Sequence, residues 1–131
     1  MNSVREAARQ RGQSFKDQLI ERLDWLSLED AAAELNCALI ELKAQIESGD
    51  VIAVEYHQRV LVPAMQLSGG KSVPHLSEVL RAMEIESPWL RLSWLINPNE
   101  RLAGETPMAL LERDPEAVLS AARGVGVQGG A

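Results

Sequence analysis

The stretch Leu26-Ser-Leu-Glu-Asp-Ala-Ala-Ala-Glu-Leu-Asn-Cys-Ala-Leu-Ile-Glu-Leu-Lys-Ala-Gln-Ile-Glu-Ser-Gly-Asp50 places two helices around a tight turn. Ser27 is a good N-cap for a short helix over Leu28–Leu35, and Glu29 and Asp30 suit the positive end of its dipole. Asn36 ends that helix. After the Asn36-Cys37 turn, Leu39, Leu42 and Ile46 mark one face of a second helix, closed by Ser48 and the C-cap signal of Gly49. Two β-branched runs follow, Val51-Ile-Ala-Val-Glu-Tyr56 and Arg59-Val-Leu-Val62, with His57-Gln58 between them. That is the spacing of a two-residue hairpin, although the favoured glycine is missing. Helix, turn, helix and β wing therefore occupy residues 27–67.

Upstream, Phe15, Leu19, Leu23 and Leu26 recur at helical spacing and predict an amphipathic helix from about Ser14 to Leu26, preceded by a looser arm. Charge divides sharply here. Residues 1–16 carry Arg5, Arg9, Arg11 and Lys16 against Glu6, a net of +3, whereas residues 17–50 carry nine carboxylates against Arg22 and Lys43, a net of −7. The acidic block repels phosphates. A basic stripe of Arg5, Arg9, Arg11 and Lys16, with Lys43 and the wing's His57 and Arg59, remains the candidate DNA-contacting set.

Downstream, Ser68-Gly-Gly-Lys-Ser72 has linker composition, so residues 68–74 divide the first module from a second over 75–131. Leu76, Val79, Leu80 and Met83 predict a helix from about His75 to Met83. Ser87-Pro88 opens another to Ile96, and Asp114-Pro115 opens one to about Arg123. Between them lies Trp94-Leu-Ile-Asn-Pro-Asn-Glu-Arg-Leu-Ala-Gly-Glu-Thr-Pro-Met-Ala-Leu-Leu111. Pro98 drives Asn97 out of the helical region, Gly104 permits a backbone that a β-carbon penalises, and Thr106-Pro107 starts a helix to about Glu112. Gly124, Gly126, Gly129 and Gly130 fray the tail. The fold class expected is mainly α, a small winged helix-turn-helix with a short β-hairpin followed by an α-helical module.

Two families are resembled. Residues 26–67, with the leucine-serine opening, the alanine-rich first helix, the Glu47-Ser-Gly-Asp50 exit and Val62-Pro63 after the wing, resemble the winged helix-turn-helix of excisionases and the MerR family. The tryptophan, Pro-Asn pair, glycine and Thr-Pro of residues 94–111 resemble the toxin-binding domain of Xre/MbcA/ParS-type bacterial antitoxins. That second resemblance implies a homodimeric antitoxin that occludes a toxin, often an NAD-degrading enzyme, and represses its own operon by binding operator DNA. The toxin-facing residues it implies are Trp94, Asn97, Pro98, Asn99, Leu102, Gly104, Thr106, Pro107, Leu110 and Leu111. The residues of the second wing-module helix that would face a DNA groove include Ala38, Ile40, Glu41 and Ala44, with Lys43 the only cation, so this helix is a poor reader of base edges. A stand-alone transcriptional regulator, whose C-terminal helices dimerise or bind another partner, is the alternative.

Other classes find little footing. No window approaches the eighteen apolar residues of a membrane span, and the first residues lack the apolar core of a secretory signal, so a cytoplasmic protein is expected. Cys37 stands alone, without cysteine or histidine neighbours at ligand spacing, and is assigned to packing; no metal site or cofactor is expected. His57 and His75 have no acidic partner at triad spacing, and no nucleophile motif or phosphate-cradling glycine loop occurs, so no catalytic residue is assigned and an enzyme is not expected. At 131 residues with 46% hydrophobic side chains, the short helices can hardly bury their apolar faces alone, which is why a homodimer is expected.

Overall fold

The computed structural model of the chain describes residues 3–125. In chain order it runs α1 (Ser3–Arg22), β1 (Trp25–Ser27), α2 (Leu28–Leu35), α3 (Leu39–Ser48), β2 (Val54–Tyr56), β3 (Arg59–Pro63), β4 (Leu67–Ser68), β5 (Lys71–Ser72), α4 (Leu76–Ala82), α5 (Pro88–Ile96), α6 (Pro107–Leu110) and α7 (Pro115–Arg123), with 3-10 turns at Ala64–Gln66 and Glu100–Leu102. The fold is mainly helical with a small antiparallel sheet, a winged-helix-like arrangement followed by a helical module. None of its described helices is long and apolar enough to cross a membrane. Of the tail glycines, Gly126, Gly129 and Gly130 lie outside the described residues.

The helix-turn-helix forms as its caps dictate. The Ser27 hydroxyl accepts from Asp30 N–H at 3.0 Å, Asn36 turns left-handed at φ 54°, and Gly49 closes α3 at φ 88°. The wing turn is the two-residue type with both central residues at positive φ, His57 at 48° and Gln58 at 65°. Its backbone suits the twist of the flanking strands, at the steric cost a non-glycine residue bears there.

Three expectations need correction. The arm before Ser14 is not loose: α1 is one unbroken helix from Ser3. It ends at Arg22 rather than Leu26, because Trp25-Leu26-Ser27 leaves it to form a third strand, with Leu26 opposite Val62 and Ser27 opposite Leu61. The Trp25 indole N–H donates to the Ile20 carbonyl at 3.1 Å, satisfying one acceptor the helix end would leave open. The sheet order is thus β1-β3-β2, with the wing's second strand at its centre. Lastly, residues 68–74 do not form a slack linker. Leu67–Ser68 and Lys71–Ser72 pair as a hairpin through Gly69 and Gly70, both at positive φ.

Two apolar clusters meet beneath the sheet. Ala31, Ala32, Leu42, Val51 and Val62 fill the space under the helix-turn-helix. Ile52, Val54 and Leu19 belong instead to the larger cluster, with Leu76, Val79, Leu80, Leu92, Leu95, Leu111 and Val118 from the helical module. Along residues 51–54 the chain alternates between them, Val51 and Ala53 toward the small cluster and Ile52 and Val54 in the large one. At Ile52 the chain is not a strand, and the buried Gln66 side chain takes the place of a strand partner: its amide accepts from Ile52 N–H at 2.9 Å and donates to the Ile52 carbonyl at 2.7 Å. Arg81 adds a tie across the border between the clusters, meeting the Asp50 carboxylate at 2.7 Å.

Replacing Gln66 with methionine keeps the volume and strands both Ile52 polar groups in a dry site. At about 1–3 kcal/mol for each buried group left unsatisfied, the expected loss is about 2–6 kcal/mol, measured by urea unfolding.

Candidate functional site

The turn between α5 and α6 is built by side chains that hydrogen-bond their own backbone. The Asn97 amide donates to the Ser93 carbonyl and hydroxyl, both at 2.9 Å, and so finishes α5. Its oxygen accepts from Arg22 at 3.3 Å, and the same guanidinium reaches the Ile96 carbonyl at 3.5 Å. Asn99 caps the 3-10 turn by accepting from Arg101 N–H at 2.8 Å, and its backbone closes the loop onto Gly104 N–H and the Glu105 carbonyl. Gly104 sits at φ 86°, Thr106 accepts from Ala109 N–H at 3.2 Å, and Glu105 pairs with Arg113. The loop is thus closed by hydrogen bonds within the chain itself.

Burial sorts the sequence-assigned residues. Leu102, Leu110 and Leu111 are 6%, 8% and 1% exposed, and Pro107 is buried, so these four face the core. Their burial seats the turn on the core through four apolar anchors. Asn97 and Asn99 are half-buried and spend their side chains on the turn itself. Trp94, half-buried, and the exposed Pro98 rim a cleft of about 340 Å³ with Asn99, Glu100, Arg101, Ala121, Gly124 and Val125. Sequence reading missed Glu100, Arg101 and the α7 side. The Arg101 guanidinium lies so close to Gly124 that a β-carbon there would collide with it. A cation in that position meets the carboxyl end of α7, which the helix dipole favours. Nothing local in the sequence announces this pairing, since 22 residues separate the partners and Gly124 reads as the start of a frayed tail.

The sequence-assigned DNA residues lie on three elements, α1, α3 and the wing. Arg5, Arg9 and Arg11 are exposed along α1, where Arg9 pairs with Glu6 at 3.1 Å. Lys16 turns inward and sets its ammonium 5.5 Å from the centre of the Trp89 ring. Lys43 is exposed on α3 among Ile40, Glu41, Ala44 and Glu47, an outward face that is apolar and acidic. His57 and Arg59 are exposed at the wing tip, with the His57 ring 4.2 Å from Tyr56. That tip is fastened to α1, because the Tyr56 hydroxyl donates to the Asp17 carboxylate, which Gln13 also contacts at 3.0 Å. Among the described residues no cluster of three or more His, Cys, Asp and Glu side chains could hold a metal ion.

The Tyr56 hydrogen bond, helped by Gln13, holds the Asp17 carboxyl below its ordinary pKa, and the same bond raises that of the Tyr56 phenol. Asp17 therefore adds stability above its unfolded pKa and loses it as pH falls through the lowered folded value. Tyr56 adds stability below its unfolded pKa and loses it as pH rises past the raised one. Tyr56→Phe is expected to lower the melting temperature most between about pH 4 and pH 10, the deficit closing on both sides, as a pH series of thermal melts would read. Asn97→Ala removes a helix stop and the Arg22 contact together; a loss of about 1–3 kcal/mol in denaturant unfolding is expected, so this asparagine serves folding before any binding.

No protein-family model and no curated protein matches the chain. Among solved structures it is similar to the NMR structure of Rv2175c, with a TM-score of 0.63 and 19% sequence identity over 77% of this chain and 80% of that chain. At that identity the likeness is one of fold.

Proposed function

We propose that the chain is an antitoxin-type interaction protein, which covers a partner toxin with the surface around the α5–α6 turn. The observation that supports this reading is the Trp94–Arg101–Gly124 cleft: an aromatic edge, a cation and a fixed turn on one concave patch, already ordered before anything docks. Preorganisation matters because side chains and loops ordered in advance lose little entropy on binding, and tryptophan and arginine are the side chains that most often anchor interfaces. The buried leucines that the resemblance assigned to toxin contact act beneath the patch, and Trp94, Pro98 and Arg101 act on it.

Arg101→Ala and Gly124→Ala separate binding from folding. Arg101 is exposed, and a methyl at Gly124 displaces only the far end of a flexible side chain, so both variants should melt within a few degrees of the parent. Each should lower toxin capture by about ten-fold or more, and with it the rescue of cells expressing the product of the adjacent gene. Unchanged rescue by both variants would sink the antitoxin reading.

A second reading, regulation by DNA binding, is supported by the winged-helix frame and by the exposed His57 and Arg59 at the wing tip. Arg59→Ala would then weaken duplex binding irrespective of sequence and reduce its salt slope by about one.

A further inference from the structure

Val4 and Ile40, each 76% exposed, are the least covered large apolar side chains among the described residues. They stand on two helical faces of matching pattern. On α1, Val4, Ala8 and Arg11 follow one another at i, i+4 and i+7, which places them on one stripe, and all three are exposed. On α3, Ile40, Ala44 and Glu47 repeat the spacing, again all exposed. Laid parallel, the stripes set valine against isoleucine, alanine against alanine, and arginine against glutamate. The alanines let the two helix axes approach to about 8 Å.

The charges around the stripes agree in sign. Residues 3–14 carry three arginines against Glu6, and residues 28–50 carry six carboxylates against Lys43. Lys43 flanks the α3 stripe on a stem long enough to turn its ammonium to water. The arm also gains from a cover: it is exposed nearly throughout, it contains Gly12, and a free helix of fewer than about 12 residues is marginal in water.

We infer that the occupant of each stripe is a second copy of this chain, the α1 arm of one protomer lying along the outward face of α3 of its partner. Two copies exchanging arms satisfy both stripes at once, which closes the contact under a twofold axis. Two such strips amount to about 1,000 Å² of buried surface, the lower end for a specific interface. Its opposed charges make the dimer sensitive to salt. This inference is independent of the toxin-binding proposal, since it uses neither the cleft nor the α5–α6 turn.

Sedimentation equilibrium on the full chain tests it. At tens of micromolar the parent should be dimeric at about 0.05 M salt and shift toward monomer at about 0.5 M. Arg11→Glu and Glu47→Arg should each weaken the dimer by about ten-fold or more, with circular dichroism unchanged. The chain carrying both substitutions should dimerise again, and so should an equal mixture of the two single variants. A monomeric parent, single variants that sediment like the parent, or a double variant that stays monomeric would each overturn the inference. So would loss of duplex DNA binding in Arg11→Glu with sedimentation unchanged, which would give the arm to nucleic acid.

Discussion

The Gln66 amide holds the two halves of the molecule at a point where neither half could hold itself. Between Gly49 and Val54 successive residues alternate between the two apolar clusters, and a strand there would have to pair with something. Instead, one side chain supplies both the donor and the acceptor to Ile52. With those bonds in place Val51 points into the small cluster and Ile52 into the large one, and β2 starts in register with β3. The orientation of the wing, and through it the Tyr56 contact with α1, follows from that clamp. Burying an amide is tolerable because both of its functional ends are matched.

Caps and periodicity carried most of the fold in legible form. Ser27, Asn36, Gly49, Ser87, Thr106-Pro107 and Asp114-Pro115 each mark a helix boundary in the structure, because the need to satisfy terminal N–H and C=O groups is local and only a few residue types meet it. Residues 25–27 were illegible for the opposite reason. Leu26 continues the helical spacing of Phe15, Leu19 and Leu23, and only the distant partners Leu61, Val62 and Pro63 draw the segment into a sheet. The Gly69-Gly70 pair reads equally as slack chain or as a tight hairpin turn. Its neighbours decided the matter by pairing.

The candidate site was legible as a turn and illegible as a surface. Pro98, Gly104 and Thr106-Pro107 fix the path of the backbone from sequence alone, and the structure follows that path. Which faces look outward depends on what packs beneath, so Leu102, Leu110 and Leu111 read as contact area although they are roots. Arg101 and Gly124 become neighbours only once α7 folds back beside the 3-10 turn. Lys16 was misread for a similar reason: net charge along a segment says nothing about its turning inward to Trp89.

Helix α1 unites these observations. From Phe15 onward it is held by Trp89 through Lys16, by the wing through Asp17, by the core through Leu19 and by the α5 terminus through Arg22. Before Phe15 its side chains are almost all exposed, and no cross-element hydrogen bond among the described residues holds it. One continuous ladder of backbone hydrogen bonds thus crosses from a segment that opens only when the whole domain opens into one that can unwind by itself. The helix acts as a strut at one end and, in a lone protomer, as a fuse at the other: the projecting half can melt and re-form turn by turn while the wing, the clamp and the α5–α6 turn keep their positions.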